Sequence, residues 1–228
     1  MRVLITSYVN QITWEKTKML TNSIMVLGSS GMLGHMIVNT LKTEGFEIHT
    51  VSRRDNQDPH HHTVLDVSNF ESLENLIKSV KPSAIINCVG LLKGIKSDRD
   101  KEYTKIINTD LPHYLNKISS IYGFYFIHVS TDCVFSGRFG PYNELSEKDP
   151  TDTYGLTKSN GEVWGDNSLT IRTSFVGPNL EINSSGLFDW IMVQRGLVTG
   201  YANVLWGGVT TLEFLVLLHM LFEIASLV

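Results

Sequence analysis

The chain has 228 residues, of which 42% are hydrophobic and 18% charged, enough for one α/β domain with a real core and a small annex. Its formal net charge is -4 and its pI about 6.0, with no basic block, which argues against nucleic acid or an anionic membrane as the main partner. The two cysteines, Cys88 and Cys133, lie far apart and make no metal-ligand spacing, so a reduced, cytoplasmic protein without structural disulfides is expected.

Residues 1–22 do not fit the pattern that follows and read as an N-terminal extension, with strand composition at 2–6 and no signal-peptide pattern. From residue 23 onward strand and helix patterns alternate. Residues 23–27 are short and apolar, a buried strand. Gly28-Ser29-Ser30-Gly31-Met32-Leu33-Gly34 follows, and then apolar residues at helical spacing up to Leu41. A strand, a glycine turn and a helix start in that order build a phosphate cradle, with backbone N–H groups at the positive end of the helix dipole. Gly28, Ser30 and Gly31 are the candidate residues of the turn. The spacing is G-x-x-G-x-x-G rather than G-x-G-x-x-G, and such a turn can also do no more than connect two elements.

Residues 47–51 form a second strand that ends at Ser52-Arg53-Arg54. An acidic residue there would accept from the ribose 2′-hydroxyl of NAD. Arginines suit the 2′-phosphate of NADP, through charge-assisted and often bidentate bonds. The alternative is a solvated arginine pair at a turn. His60-His61-His62 reads as a polar connection without a metal, because contiguous histidines cannot all face one ion. Residues 63–65 form a third strand ending at Asp66-Val67. A carboxylate there either accepts from an adenine amino group or caps the next helix.

Residues 70–80 are amphipathic, with Leu73, Leu76, Ile77 and Val80 on one face. Residues 84–89 read as a buried strand, 103–122 as a long helix, 124–129 as another buried strand, 154–164 as a helix and 169–172 as a strand. Alternating units with apolar strands predict an α/β fold, a doubly wound parallel sheet covered on both faces. Residues 212–228 are the most apolar tract, but Glu213, His219 and Glu223 interrupt it, so it reads as a core helix rather than a membrane span.

Ligands of such sheets sit beyond the carboxyl ends of the strands, which directs attention to Ser130-Thr131-Asp132 and to Tyr154-Gly155-Leu156-Thr157-Lys158. Tyr154 and Lys158 share one helix face. A free tyrosine titrates at about pH 10 and donates poorly at neutral pH. A lysine ammonium and a positive nicotinamide favour the phenolate and bring the tyrosine toward its working range. Lys158 can also hold the nicotinamide ribose hydroxyls, and the Thr131 hydroxyl can donate to a substrate carbonyl beside Tyr154. Cys133 reads as a buried structural cysteine.

With these motifs the chain resembles the extended short-chain dehydrogenase/reductases, and among them the dTDP-4-dehydrorhamnose reductase family. The resemblance rests on Gly28 to Gly34, Ile86-Asn87-Cys88-Val89-Gly90, Asn108-Thr109-Asp110-Leu111-Pro112, Ser130 to Gly137, Pro141-Tyr142-Asn143-Glu144, Tyr154 to Glu162 and Ile171-Arg172-Thr173-Ser174, over roughly residues 23–211. It implies a Rossmann-type sheet at 23–175 and a small substrate lobe at 176–228, shorter than the family's. It implies Tyr154 as proton donor, Lys158 as its partner and Thr131 as carbonyl orienter. Gly31-Met32-Leu33 would lie at the pyrophosphate, Asp66-Val67 at the adenine and Val89-Gly90-Leu91 on the nicotinamide side. The implied activity is reduction of a 4-keto-deoxysugar nucleotide with NADPH or NADH, in the synthesis of surface-polysaccharide sugars. A homodimer stays open as the assembly. Two departures stand out: Cys88 and Val89 replace the small alanines usual in the family, and only one helix follows Thr211. The same resemblance admits a non-catalytic NADP-binding regulatory subunit, or a sugar-nucleotide epimerase or dehydratase.

Overall fold

The structure, a computed structural model, describes residues 4–6, 23–55, 61–92, 97–180, 186–204 and 206–226. Its centre is a seven-stranded sheet of β1 (Leu4–Thr6), β2 (Ser23–Leu27), β3 (Glu47–Ser52), β4 (His62–Val64), β5 (Ala84–Asn87), β6 (Tyr125–Val129) and β7 (Ser168–Arg172). The spatial order is β1-β7-β6-β5-β2-β3-β4. All pairs are parallel except β1 with β7, where Leu4–Thr6 adds an antiparallel edge. The chain runs outward from β2 through β3 to β4, then returns to β5 on the other side of β2. That reversal is the switch point of a Rossmann-type sheet, and it opens a crevice at the carboxyl ends of β2 and β5.

The strands read as continuous apolar runs because both faces are covered. Along β2, Ile24 and Val26 face one core while Met25 and Leu27 face the other. On the first face pack α1 (Met32–Thr43), through Leu33, Ile37 and Leu41, and α7 (Thr211–Ser226), through Phe214, Leu218 and Phe222. On the second pack α2 (Phe70–Val80), through Leu73 and Ile77, and α4 (Leu111–Tyr122), through Leu111 and Leu115. Each such side chain stabilises the fold by about 1.5–3 kcal/mol. The apolar tract after residue 211 is thus a core helix, and among the described residues no helix is long and apolar enough to cross a membrane.

Two helices differ from the sequence reading. The expected helix at 103–122 begins earlier, as α3 (Asp98–Lys105), capped by the Ser97 hydroxyl, which accepts from Asp100 N. It passes through a π turn (Ile106–Asp110) into α4. The expected helix at 154–164 is shorter, α5 (Thr153–Asn160), whose cap Asp152 accepts from Gly155 N at 2.7 Å. Beyond β7 lie a two-stranded pair, β8 (Phe175–Val176) and β9 (Val209–Thr210), and a short helix α6 (Leu187–Val193).

The chain leaves α5 early because Glu162 must reach a buried ion cluster. Its carboxylate accepts from Arg172 Nε at 2.8 Å and Nη2 at 2.9 Å, from Lys148 Nζ at 3.0 Å and from Ser130 Oγ at 2.9 Å. The Arg172 guanidinium also lies over the Phe135 ring. The cluster ties β7, the end of β6 and the end of α5 together beneath Thr131. Burial raises the Glu162 carboxyl, but the Arg172 and Lys148 bonds outweigh it and hold it below the usual range. Its stabilisation is therefore complete above the unfolded glutamate value and lost as pH falls through the lowered folded value. Glu162→Ala, which strands Arg172, is expected to cost about 3–5 kcal/mol in urea unfolding at neutral pH, with the gap to wild type shrinking in acid. A gap that stays constant into acid contradicts this.

Candidate active site

The glycine turn after β2 has the geometry of a phosphate cradle. Gly28 sits at φ 79, in the left-handed region, and its N–H donates to Val51 O on β3 at 2.9 Å. A Cβ at Gly34 would stand 2.2 Å from the Gly28 carbonyl oxygen, so α1 can seat against the turn only with a glycine there. Gly31 is the N-cap of α1 with extended backbone and no side-chain cap, and no acidic residue lies in the first turn. The N–H groups that open this helix are thereby left for an anion.

From the cradle a trough crosses the carboxyl ends of the strands. One part, about 280 Å³, is lined by Gly28, Ser30, Gly31, Arg53, Arg54, Asp66, Val67, Val89, Gly90, Leu91 and also Tyr103. The other, about 290 Å³, is lined by Gly31, Met32, Leu33, Val89, Gly90, Tyr154 and Lys158, together with Phe175 and Asn179. Gly31, Cys88, Val89 and Gly90 belong to both walls. The structure thus brings the expected cofactor residues onto one surface. Thr131 stands beside it, its hydroxyl donating to Asp132 Oδ1 at 3.3 Å and accepting from Cys133 N at 3.1 Å.

At the far end of the first part, the cap of α2 is Asn69, which accepts from Ser72 N at 3.0 Å. Asp66 is therefore not the helix cap that its position also allowed. Its carboxylate accepts from Ser68 N at 3.0 Å and from the Tyr103 hydroxyl at 2.8 Å. Burial raises it, but these bonds and the Arg53 charge leave it below the ordinary aspartate value. Arg53 and Arg54 are exposed on the rim. The turn that carries them is pinned: Arg54 O accepts from Ser52 Oγ and from His62 Nε2 at 2.8 Å. His62 is occupied in this way, His60 lies outside the described residues, and among the described residues no group of three or more His, Cys, Asp or Glu could hold a metal.

At the other end Lys158 is buried, 2% exposed. Its Nζ donates to Val129 O at 2.7 Å and lies 3.4 Å from His128 Nε2. Burial pushes it down to about 8, against the pull of Glu162 and Cys88. The Tyr154 phenol is pushed up to about 12 by burial, with Cys133, Asp132 and Asp152 adding to the rise and the Thr131 hydroxyl opposing it. The sequence reading places an ammonium beside this phenol to lower it. In the free protein the phenol is raised instead, because it is buried among acidic neighbours while the amine is anchored on a strand carbonyl. Cys133, expected to be buried, is exposed on the Asp132–Val134 turn.

The family model described as RmlD substrate binding domain matches residues 22–184, from the cradle through Tyr154 and Lys158. The chain belongs to this family. It is similar to a dTDP-4-dehydrorhamnose reductase of Streptomyces griseus, 26% identical over 165 residues, 68% of this chain and 51% of that one. Methionine adenosyltransferase 2 subunit beta of Xenopus tropicalis is 27% identical over 138 residues, 60% of this chain and 41% of that one. The crystal structure of a hypothetical dTDP-4-dehydrorhamnose reductase from Sulfolobus tokodaii superimposes with TM-score 0.76 at 26% identity, over 89% of this chain and 73% of that one. The chain spans about half the length of the curated relatives it matches.

In this member of the RmlD family, sequence reasoning missed the residues that act at a distance. Tyr103, which bonds Asp66, comes from α3, a helix too polar to show an apolar stripe. Asn108 is fully buried in the π turn. Its Oδ1 accepts from Leu91 N at 2.9 Å, and its Nδ2 donates to Leu91 O and to Thr157 Oγ1, both at 3.1 Å. One amide thus joins the Gly90-Leu91 wall to the helix that carries Tyr154 and Lys158. Nothing in a single sequence marks such a residue beyond its place in the family motif. Asn108→Ala is expected to cost about 1–3 kcal/mol for each buried partner it orphans, read by urea unfolding. A change below about 0.5 kcal/mol contradicts the bridging role.

Proposed function

We propose that the protein is an NAD(P)H-dependent reductase of a 4-keto-deoxysugar nucleotide. The observation that carries this reading is the pair of cavities that share Gly31, Cys88, Val89 and Gly90 as walls, one holding the glycine cradle and the other Tyr154 and Lys158. The cradle fits a dinucleotide: a Cβ at Gly34 would collide with the turn, and α1 begins uncapped. The opening N–H groups of α1 would hold the pyrophosphate and Asp66-Val67 the adenine. The exposed Arg53 and Arg54 suit a 2′-phosphate, which favours NADPH over NADH. A bound reduced nicotinamide supplies the hydride. The Tyr154 hydroxyl then gives its proton to the ketone oxygen, which Thr131 orients by hydrogen bonding. Lys158 holds the ribose hydroxyls and stabilises the developing phenolate.

We take residues 23–175 as the dinucleotide-binding unit, 1–22 as an extension and 176–228 as part of a substrate lobe. Phe175, Asn179 and Gly186 already reach the Tyr154 end of the trough. The similarity to a methionine adenosyltransferase subunit supports one other reading, a cofactor-binding regulatory protein.

NADPH oxidation measured against a panel of 4-keto-deoxysugar nucleotides separates the two. The reductase reading expects turnover that Tyr154→Phe lowers by at least about 100-fold while NADPH affinity stays within about twofold. Tight NADPH binding with no turnover on any member of the panel favours the regulatory reading, and wild-type turnover by Tyr154→Phe removes the tyrosine from its role.

A further inference from the structure

Behind the Tyr154 end of the trough lies a line of buried polar groups that this mechanism leaves unused. His128 of β6 is fully buried, and its register partner on β5 is Asn87, also fully buried. Asn87 Oδ1 accepts from Val89 N at 3.1 Å. The oxygen of the amide is thereby fixed on that side, since its NH₂ group cannot accept. Asn87 Nδ2 then faces His128 Nδ1 at 3.2 Å and donates to it. A ring nitrogen that accepts carries no proton, so the neutral imidazole bears its proton on Nε2. That Nε2–H points at Lys158 Nζ, 3.4 Å away. An ammonium has no lone pair with which to accept, whereas a neutral amine has one and keeps two N–H groups, one of them for Val129 O.

We propose that, at about pH 9, the Asn87–His128 pair holds the Lys158 side chain as an uncharged amine in the free protein, and that dinucleotide binding at this trough then takes up one proton there. His128 is a positioning residue that acts through Lys158. The inference rests on reading the trough as a dinucleotide site. The proton comes from solvent and converts the amine to an ammonium, with no other bond made or broken. A polyanionic cofactor in the trough, with ribose hydroxyls able to accept, reverses the preference that His128 sets.

The charged groups around the line agree. Lys158 feels Glu162, whose carboxylate is already matched by Arg172 and Lys148, and Cys88, whose thiol burial pushes up to about 12 and so keeps neutral. Burial, the largest cause, holds His128 well below the ordinary histidine value, so it stays the neutral donor even where an uncharged Lys158 no longer repels its proton. Burial also brings Lys158 down to about 8.

Nitrogen-15 NMR of the free protein at about pH 9 reads the His128 tautomer directly, and the carbon-13 shift of Lys158 Cε reads its titration. The expected result is the Nε2–H tautomer and a Lys158 midpoint about two pH units below those of exposed lysines. Asn87→Asp, which turns Nδ1 into the donor and Nε2 into an acceptor, and His128→Gln, which can present an oxygen, should each raise that midpoint. An Nδ1–H tautomer in wild type, or a Lys158 midpoint like that of exposed lysines, overturns the proposal even if neither variant folds. Calorimetry of NADPH binding at about pH 9 in two buffers of different ionisation enthalpy should show close to one proton taken up, and an affinity that falls about tenfold per pH unit above the midpoint. Binding without proton uptake overturns the coupling but leaves the dinucleotide site standing. Absence of NADPH binding overturns the dinucleotide site and the coupling together, and the NMR result still decides the state of the amine.

Discussion

The structure depends on one close approach, the seating of α1 against the turn that follows β2. The carbonyl oxygen of Gly28 occupies the space that a side chain at Gly34 would need. Because the helix can come this near, its first N–H groups open toward the crevice between β2 and β5, where the strand order reverses. The same seating lets Leu33, Ile37 and Leu41 close one face of the core, to which α7 adds Phe214, Leu218 and Phe222. Packing and the open start of α1 are here two consequences of a single missing methyl group.

The other half of the trough is held from beneath. α5 presents Tyr154 and Lys158, and its position is fixed by polar ties rather than by an apolar face. Asn108 joins it to the Leu91 wall, Thr109 donates to Thr157 O, and Glu162 anchors the chain just beyond it to Arg172. Ties of this kind orient a helix more sharply than apolar contact does, because a buried donor or acceptor without its partner is costly. The result is a lysine whose amine is fixed on Val129 O and a phenol kept firmly protonated in the free protein.

Much of this was legible in the sequence, for identifiable reasons. β2, β5 and β6 are buried on both faces, so they appear as mostly apolar runs, broken near their ends by Asn87 and His128, that alternate with helical patterns. The turn from Gly28 to Gly34 is local, so its spacing carries its geometry. The boundaries of α3 and α5 differ from the pattern for two reasons: α3, capped by Ser97, has no apolar stripe to mark where it begins, and Glu162 leaves the helix to meet Arg172 of β7. Asp66 stood open between an adenine contact and a helix cap, and only the position of Asn69 shows that the cap is supplied elsewhere. The direction of Lys158 was out of reach altogether, since it depends on a carbonyl of β6 and on a histidine whose tautomer is set by a third strand residue.

The central claim is that the uncapped start of α1 receives the pyrophosphate of a dinucleotide. It is tested most directly by calorimetric titration of NADPH into the wild-type protein and into Gly31→Asp. Aspartate is a favoured N-cap and suits the φ of −78 at Gly31, although its Cβ would stand 3.3 Å from Gly28 O, so the melting temperature is read alongside to show that the variant folds while placing a carboxylate where the phosphates would lie. The account predicts saturable one-site binding to wild type and its loss in the variant. Binding of equal strength in both proteins, or none in a folded wild type, would contradict it.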